Sequence, residues 1–353
     1  ENLLLLKPDY VVHGDDWKIG RQKEIRKKVI KTLSSWNGKL IEYKYTKNIN
    51  YENYKNKVLK LANTPDNRRK KLNRLIKSRK IVRIIECHSA LSGLITENLI
   101  YETKDEFSEF DGFWSSSLTD SAIKGRPDNQ SLDISSRTLG LQEMLEATSK
   151  PIIFDGDNGG RNEHLKFTIK TLERLGVSAI ALEDKVGLKK NSLFKDQKGV
   201  KQDSIRSFCK KIKVATEARV TKDFLVIARI ESLILGKSIA DALKRANAYS
   251  KAGADAIIIH SKQKKPNEIF KFAKKFIKSK NYIPLVAIPS TYSRTYEKDL
   301  IKNNFKIVIY ANQMLRASYK AMINVAKTIL SNKRSYDAEK NISSVSEVIE
   351  LIK

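Results

Sequence analysis

The chain has 353 residues, with 68 Lys and Arg against 40 Asp and Glu, for a formal net charge of +28. No apolar run approaches the roughly 18 residues of a membrane span, and Pro8-Asp9 cuts off Leu3–Leu6 too early for a signal peptide, so no membrane partner is expected. The basic excess is mostly Lys spread over helical stretches, with no aromatic-interleaved stripe and no zinc-finger spacing; it predicts attraction for small anions rather than specific nucleic-acid binding.

In chain order, Asp9–Asp16 reads as a strand running into a polar turn, Lys23–Trp36 as a helix with Ile25, Val29, Ile30 and Leu33 on one face, and Lys39–Tyr45 as a second strand. This strand–helix–strand piece, residues 1–50, is too small to bury its own sheet and reads as the tail of a nucleotide-binding-type α/β domain. The opening Glu1 in place of Met leads us to expect a fragment. Residues 51–80 are polar and basic with weak helical spacing, a helical linker whose end leads into the next domain. From residue 81 to 353 the pattern is regular. Apolar runs fall at Ile81–Cys87, Phe110–Trp114, Pro151–Phe154, Ser178–Leu182, Phe224–Ala228, Ala256–Ile259, Pro284–Ile288 and Phe305–Tyr310. Helical stretches separate them, up to a long one at Gln313–Asn332, and Ser344–Lys353 adds a short last helix. Eight strand–helix units predict an α/β fold of the (β/α)8 TIM-barrel type, with an open doubly wound sheet as the alternative that periodicity leaves open. Cys87 and Cys209 sit in a strand and a helix without metal-like spacing, so no disulfide is expected and a reducing cytoplasm is the expected location.

In a barrel of this kind chemistry sits at the C-terminal strand ends. Polar residues concentrate there: Trp114-Ser115-Ser116-Ser117, Asp155 and Asp157, Glu183-Asp184-Lys185, Arg229 and Glu231, and His260-Ser261-Lys262. Each has a bland reading: a solvated turn, a structural Arg229–Glu231 pair, a satisfied polar histidine. Five of eight strand ends make that reading weaker as a set. Asp155, Asp157 and Glu183 offer oxygen only, which points to Mg²⁺ or Mn²⁺ rather than zinc. Arg229 offers a planar fork for a carboxylate or phosphate. Lys189, Asn191 and Ser192 lie on a basic loop able to close over an anion.

The run Glu183-Asp184-Lys185-x-x-x-Lys189-x-Asn191-Ser192 resembles the signature of the phosphoenolpyruvate mutases of the isocitrate lyase/phosphoenolpyruvate mutase superfamily. Phe113–Leu118, Gly125-Arg126-Pro127-Asp128, Asp155-Gly156-Asp157, Ala228–Glu231 and Ile259–Lys262 extend the resemblance over residues 81–350. It implies an isomerase that interconverts phosphoenolpyruvate and phosphonopyruvate, forming the carbon–phosphorus bond of phosphonates. By carry-over, Asp155 binds Mg²⁺, with Asp157 and Glu183 ordering its waters. Trp114, Ser116 and the backbone of Ser115–Ser117 bind the pyruvate part. Arg229, His260, Lys189, Asn191 and Ser192 take the phosphoryl oxygens, and Asp128 sits beside the transferring group as nucleophile or positioning residue. Departures are Asn158 where many relatives have Thr, and Ser115 and Ser117 where some have glycine; the loop lacks the cysteine of the lyase branch. The alternatives are a phosphonopyruvate hydrolase on the same scaffold and a non-catalytic basic binding protein. A homo-oligomer, tetramer or dimer, is also implied. Separately, Pro8–Lys18 and Tyr45-Thr46-Lys47 resemble the C-terminal part of cytidylyltransferase-like domains, although no HxGH motif is present.

Overall fold

The computed structural model describes residues 2–18, 22–44, 64–103, 107–187, 189–194 and 196–352. Eight strands, β1 (Val82–Glu86), β2 (Gly112–Ser115), β3 (Ile152–Asp155), β4 (Ala179–Glu183), β5 (Leu225–Ile230), β6 (Ala256–Ile259), β7 (Leu285–Ala287) and β8 (Phe305–Tyr310), close into a barrel. Every pairing is parallel, and β8 pairs with β1, which settles the choice left open by the sequence in favour of closure. Helices follow the strands: α1 (Ala90–Asn98), α2 (Ile134–Ala147), α3 (Asn162–Leu175), α4 (Ile205–Ala218), α5 (Ile239–Lys251), α6 (Asn267–Phe276), α7 (Glu297–Lys302) and α8 (Gln313–Asn332).

The strands are apolar on both faces because both are buried. Val82, Ile84, Ile153, Ala179, Ala181, Ile227, Ile258, Val286 and Ile309 fill the barrel interior with Trp114. Their neighbours, among them Ile85, Phe113, Phe154, Leu182, Ala228 and Ile259, face the helices. Helix starts are chemically marked. Ser89, Asp133, Ser204 and Ser238 each accept a hydrogen bond from the backbone N–H three residues on. Helix α3 ends at Gly176, whose φ is 93° and where a Cβ would lie 2.7 Å from Pro65 Cα, so two constraints select glycine.

The end of the basic stretch before the barrel is the helix Pro65–Ser78. Its Leu72 and Ile76 join the interior cluster, closing the barrel opposite its catalytic face. Buried Arg68 donates to the carbonyls of Leu145 (2.7 Å) and Thr148 after α2, so the apolar plug is fixed by polar bonds. Near the N-terminus, strands Tyr10–Gly14 and Lys39–Tyr43 pair in parallel around the helix Lys23–Leu33. Glu42 locks this piece by accepting from Trp17 Nε1 at 2.7 Å and from Arg26 at 2.8 and 2.9 Å. Tyr45-Thr46-Lys47 and most of the linker lie outside the described residues.

Several elements escaped sequence reasoning: the helices Asn2–Leu6, Ser117–Ala122 and Tyr336–Glu339, an antiparallel pair Ile100–Glu102 with Phe107–Glu109, and a second pair, Lys185–Val186 with Lys201–Gln202. All are too short for a period to register. Helix α8 buries none of its residues, and Val345–Ile352 packs near α1. Both cysteines are free, and among the described residues no helix is long and apolar enough to cross a membrane.

Leu72→Ala, by opening a void under the barrel interior, is expected to destabilise the protein by about 3 kcal/mol, read as a lower urea midpoint at unchanged slope. An unchanged midpoint would show that the Pro65–Ser78 helix does not close the barrel.

Candidate active site

The two-residue period of the barrel interior runs on past the strand ends. After Trp114, Ile153, Ala181, Ile227, Ile258, Ile288 and Ile309 the next inward positions are Ser116, Asp155, Glu183, Arg229, His260, Ser290 and Ala311, and all seven line one small cavity of about 50 Å³. The apolar interior thus gives way within one step to a polar layer on an apolar floor that includes Trp114.

That layer is buried, so its charges are paired. Arg229 Nε donates to Glu231 at 2.6 Å, and its Nη2 donates to Ser192 Oγ at 2.9 Å and reaches His260 Nδ1 at 3.1 Å; Glu183 lies 3.7 Å away. Burial works against the guanidinium charge, but Glu231 and then Glu183 outweigh it, and Arg229 is held more firmly charged than usual. Burial raises the Glu183 pKa to about 7, against the pull of Arg229 and Lys185. Glu231 stays well below the carboxylate range because Arg229 overcomes its burial. Burial, then the neighbouring guanidinium, lowers His260 and favours the neutral ring. His260 Nδ1 lies between the Arg229 guanidinium at 3.1 Å and the Glu231 carboxylate at 3.4 Å, and its Nε2 is buried without a partner.

Asp155 accepts from Ser117 Oγ at 3.0 Å and from the Asp157 N–H at 3.2 Å. Asp157 takes φ 51°, a left-handed conformation tolerated by Asp, and its carboxylate faces the Lys189 ammonium and, at 3.8 Å, Arg137. Lys189 also bonds Asp128 Oδ1 at 2.7 Å and Ser117 Oγ, while Asn191 Nδ2 donates to Asp128 Oδ2 at 2.7 Å. Burial opposes the Lys189 charge, yet Asp157, Asp155, Asp128 and Glu183 together raise its pKa.

The loop is therefore closed, and Lys185 clasps its root. Its ammonium donates to Lys190 O and Ser192 Oγ, both at 2.9 Å, between Glu183 (3.4 Å) and Glu231 (3.5 Å). Asp184 points the other way, outward, and accepts from Tyr249 Oη (2.7 Å), Gln202 (2.8 Å), the Glu231 N–H (2.9 Å) and Arg245 (3.1 Å). It holds β4, β5 and α5 together behind the site.

The structure gathers Trp114, Ser116, Ser117, Asp155, Glu183, Lys189, Asn191, Ser192, Arg229 and His260 around the cavity. Asp128 and Asp157 stand one layer back, holding Lys189 and Asn191. The Ser115 side chain does not join them: by strand parity it points outward, and its hydroxyl donates to Asp120 at 3.0 Å. Asp120 in turn takes Arg137 Nε at 2.9 Å, bracing the ends of β2 and β3. Sequence reasoning missed Ser290 and Asn312, which line the cavity beyond β7 and β8. The strand-end rule, applied to all eight strands, would have found them.

As to a metal, the all-oxygen donor chemistry of Asp155, Asp157 and Glu183 suits a hard cation. Among the described residues no three acid, imidazole or thiolate groups converge on one point. The set fits an ion that keeps its own waters and ligand oxygens, not a closed protein cage.

The description "Phosphoenolpyruvate phosphomutase" matches residues 72–330. The phosphoenolpyruvate phosphomutase of Tetrahymena pyriformis is 34% identical over 281 residues, 79% of this chain and 89% of that protein. The crystal structure of the phosphoenolpyruvate phosphomutase from Streptomyces platensis subsp. rosaceus superposes with a TM-score of 0.73 at 33% identity, covering 80% of this chain and 93% of that one. A phosphonopyruvate hydrolase in complex with oxalate and Mg²⁺ superposes with a TM-score of 0.71 at 32% identity, covering 80% and 94%.

Lys185→Met keeps the length of the side chain and removes the clasp. Losing one to two kcal/mol of closure would speed trypsin cleavage after Lys189 and Lys190 about tenfold. A cleavage rate equal to that of the parent would show that the loop is held by other contacts.

Proposed function

The chain belongs to the phosphoenolpyruvate phosphomutase family, and on that premise we propose that it interconverts phosphoenolpyruvate and phosphonopyruvate. In this isomerisation the bond from phosphorus to the enol oxygen breaks, a bond from phosphorus to C3 forms, and a ketone remains, with no atom gained or lost. The observation that carries the reading is the closed cavity in which Arg229, His260 and the loop donors Lys189, Asn191 and Ser192 face the buried acids Asp155 and Glu183.

Little covalent work falls to the protein; positioning and charge dominate. Arg229, Lys189, Asn191, Ser192 and His260 hold the phosphoryl oxygens while the group moves. Trp114, whose Nε1–H is buried without a partner, and Ser116 hold the pyruvate unit. Asp155 and Glu183 at the cavity wall, with Asp157 behind them, would hold a magnesium or manganese ion, which would supply Lewis-acid charge to ligand oxygens. Both oxygens of Asp128 are already occupied by the loop, by Lys189 and by Asn191, which favours a positioning role over nucleophilic attack. The shut loop keeps water from the phosphoryl group, the condition that separates isomerisation from hydrolysis.

The same reading places the protein in phosphonate biosynthesis in a cytoplasm, without specific nucleic-acid binding. The uncovered face of α8 supports a homo-oligomer, a dimer or tetramer. The parallel strand pair around Lys23–Leu33 supports a cytidylyltransferase-like origin for residues 1–50, with 51–80 as linker and 81–353 as the catalytic barrel.

Phosphorus NMR of the purified protein with phosphonopyruvate and Mg²⁺ is expected to show phosphoenolpyruvate accumulating, and EDTA to stop it. Asp155→Ala should lower kcat by roughly a thousandfold, as losing several kcal/mol of charge stabilisation requires. Pyruvate and inorganic phosphate as products would make the protein a hydrolase, and no turnover by the folded protein would refute both reactions.

A further inference from the structure

Asn312 lies two residues past the end of β8 and is the N-cap of α8, where an asparagine side chain ordinarily bonds a free helix N–H. Here it makes no capping hydrogen bond. The N–H it would be expected to take, that of Leu315, donates instead to Glu86 Oε2 at 3.0 Å. Glu86 is wholly buried at the end of β1, and its other oxygen is held by His88 at 2.6 Å. A charged carboxylate at a helix N-terminus is a stronger cap than a neutral amide. Glu86 therefore does the work of the N-cap and releases the Asn312 side chain.

Asn312 is one of the residues that line the active cavity. Asn312 is only 5% exposed, and its Oδ1 is buried with no hydrogen-bond partner. A buried amide left unbonded is costly, so a ligand that completes it is favoured. The other buried unpartnered polar atoms on this cavity are His260 Nε2 and Trp114 Nε1. Asn312 sits across the barrel from Glu183, because β8 and β4 are opposite in the strand order. The acids at β3 and β4, the Arg229 cation at β5 and the His260 imidazole at β6 leave the β7–β8 side uncharged, with Ser290 and Asn312 as its polar groups.

We propose that Asn312 is a substrate-binding residue: its amide, freed from capping by Glu86, hydrogen-bonds an oxygen of the bound substrate anion on the side of the cavity opposite the acids. To an acceptor-only oxygen the amide presents Nδ2, which a half-turn about its last bond places where Oδ1 now lies. Its neutrality matters, because a carboxylate there would repel the anion. The inference rests on the phosphonopyruvate reading and adds a contact to that site.

The test compares the parent, Asn312→Ala and Asn312→Asp, each metal-loaded, by turnover of phosphonopyruvate and by calorimetric binding of the same compound, with a ligand-free melt for each. Asn312→Ala is expected to raise KM and Kd about tenfold, one hydrogen bond to a charged group, with kcat within about threefold and the ligand-free Tm unchanged. The nearly isosteric Asn312→Asp is expected to fold like the parent and to bind more weakly still. Parent-like KM and Kd in Asn312→Asp overturn the proposal, including where the alanine variant fails to fold. A lower ligand-free Tm with parent-like Kd in either variant also overturns it, because that is a capping residue. Failure of the parent itself to bind or convert phosphonopyruvate overturns the functional reading, and this inference with it; a parent that binds without turnover leaves the Kd comparison decisive.

Discussion

The structure depends on charge neutralisation in the top layer of the barrel. Arg229, Lys185 and Lys189 are buried with Asp155, Asp157, Glu183 and Glu231, where an unpaired charge would cost several kcal/mol. None of these groups is balanced by a single partner. Glu231 serves Arg229, Lys185 and Ser192, and Lys189 serves Asp128 and Asp157. Removing any one strands others, so the layer persists or fails as a unit. It also has the two signs of charge that a trianionic substrate and a cation together require.

The loop is part of that layer. Lys185, Lys189 and Ser192 come from the segment that closes the cavity, yet they neutralise groups fixed to β3, β4 and β5. Closure is therefore an electrostatic event as well as a steric one. The outward-facing strand-end residues have a different duty. Asp184, with its pKa raised to about 6 mainly by burial, and Asp120 bind the helices and neighbouring strand ends behind the site. Alternation along each strand thus separates residues that meet the ligand from residues that hold the frame.

The other end of the barrel is built for rigidity alone. Leu72 and Ile76 close it, and the buried Arg68 and Arg69 tie their helix to carbonyls after α2 and in α3. The basic stretch thus contributes two buried guanidinium groups. The carbonyls they bond lie 77 or more residues away, and no local pattern announces them.

What the sequence determined by itself was whatever depends on local order. Continuous apolar runs between helical spacings marked eight strands to within two residues, since burial on both faces demands such runs. Charged residues directly after them marked the site, since an apolar strand ends in charge only where that charge has a partner. The Glu183–Ser192 signature then identified the chemistry by resemblance. Tertiary structure decided what depends on the meeting of distant residues. Closure of β8 onto β1 is invisible to periodicity, which reads the same in an open sheet. Parity at the strand end turned Ser115 outward to Asp120 and Ser116 inward, although both are serines in one run. Only the fold brought Glu86 to the start of α8, 229 residues away in sequence, and so left the amide of Asn312 facing the cavity.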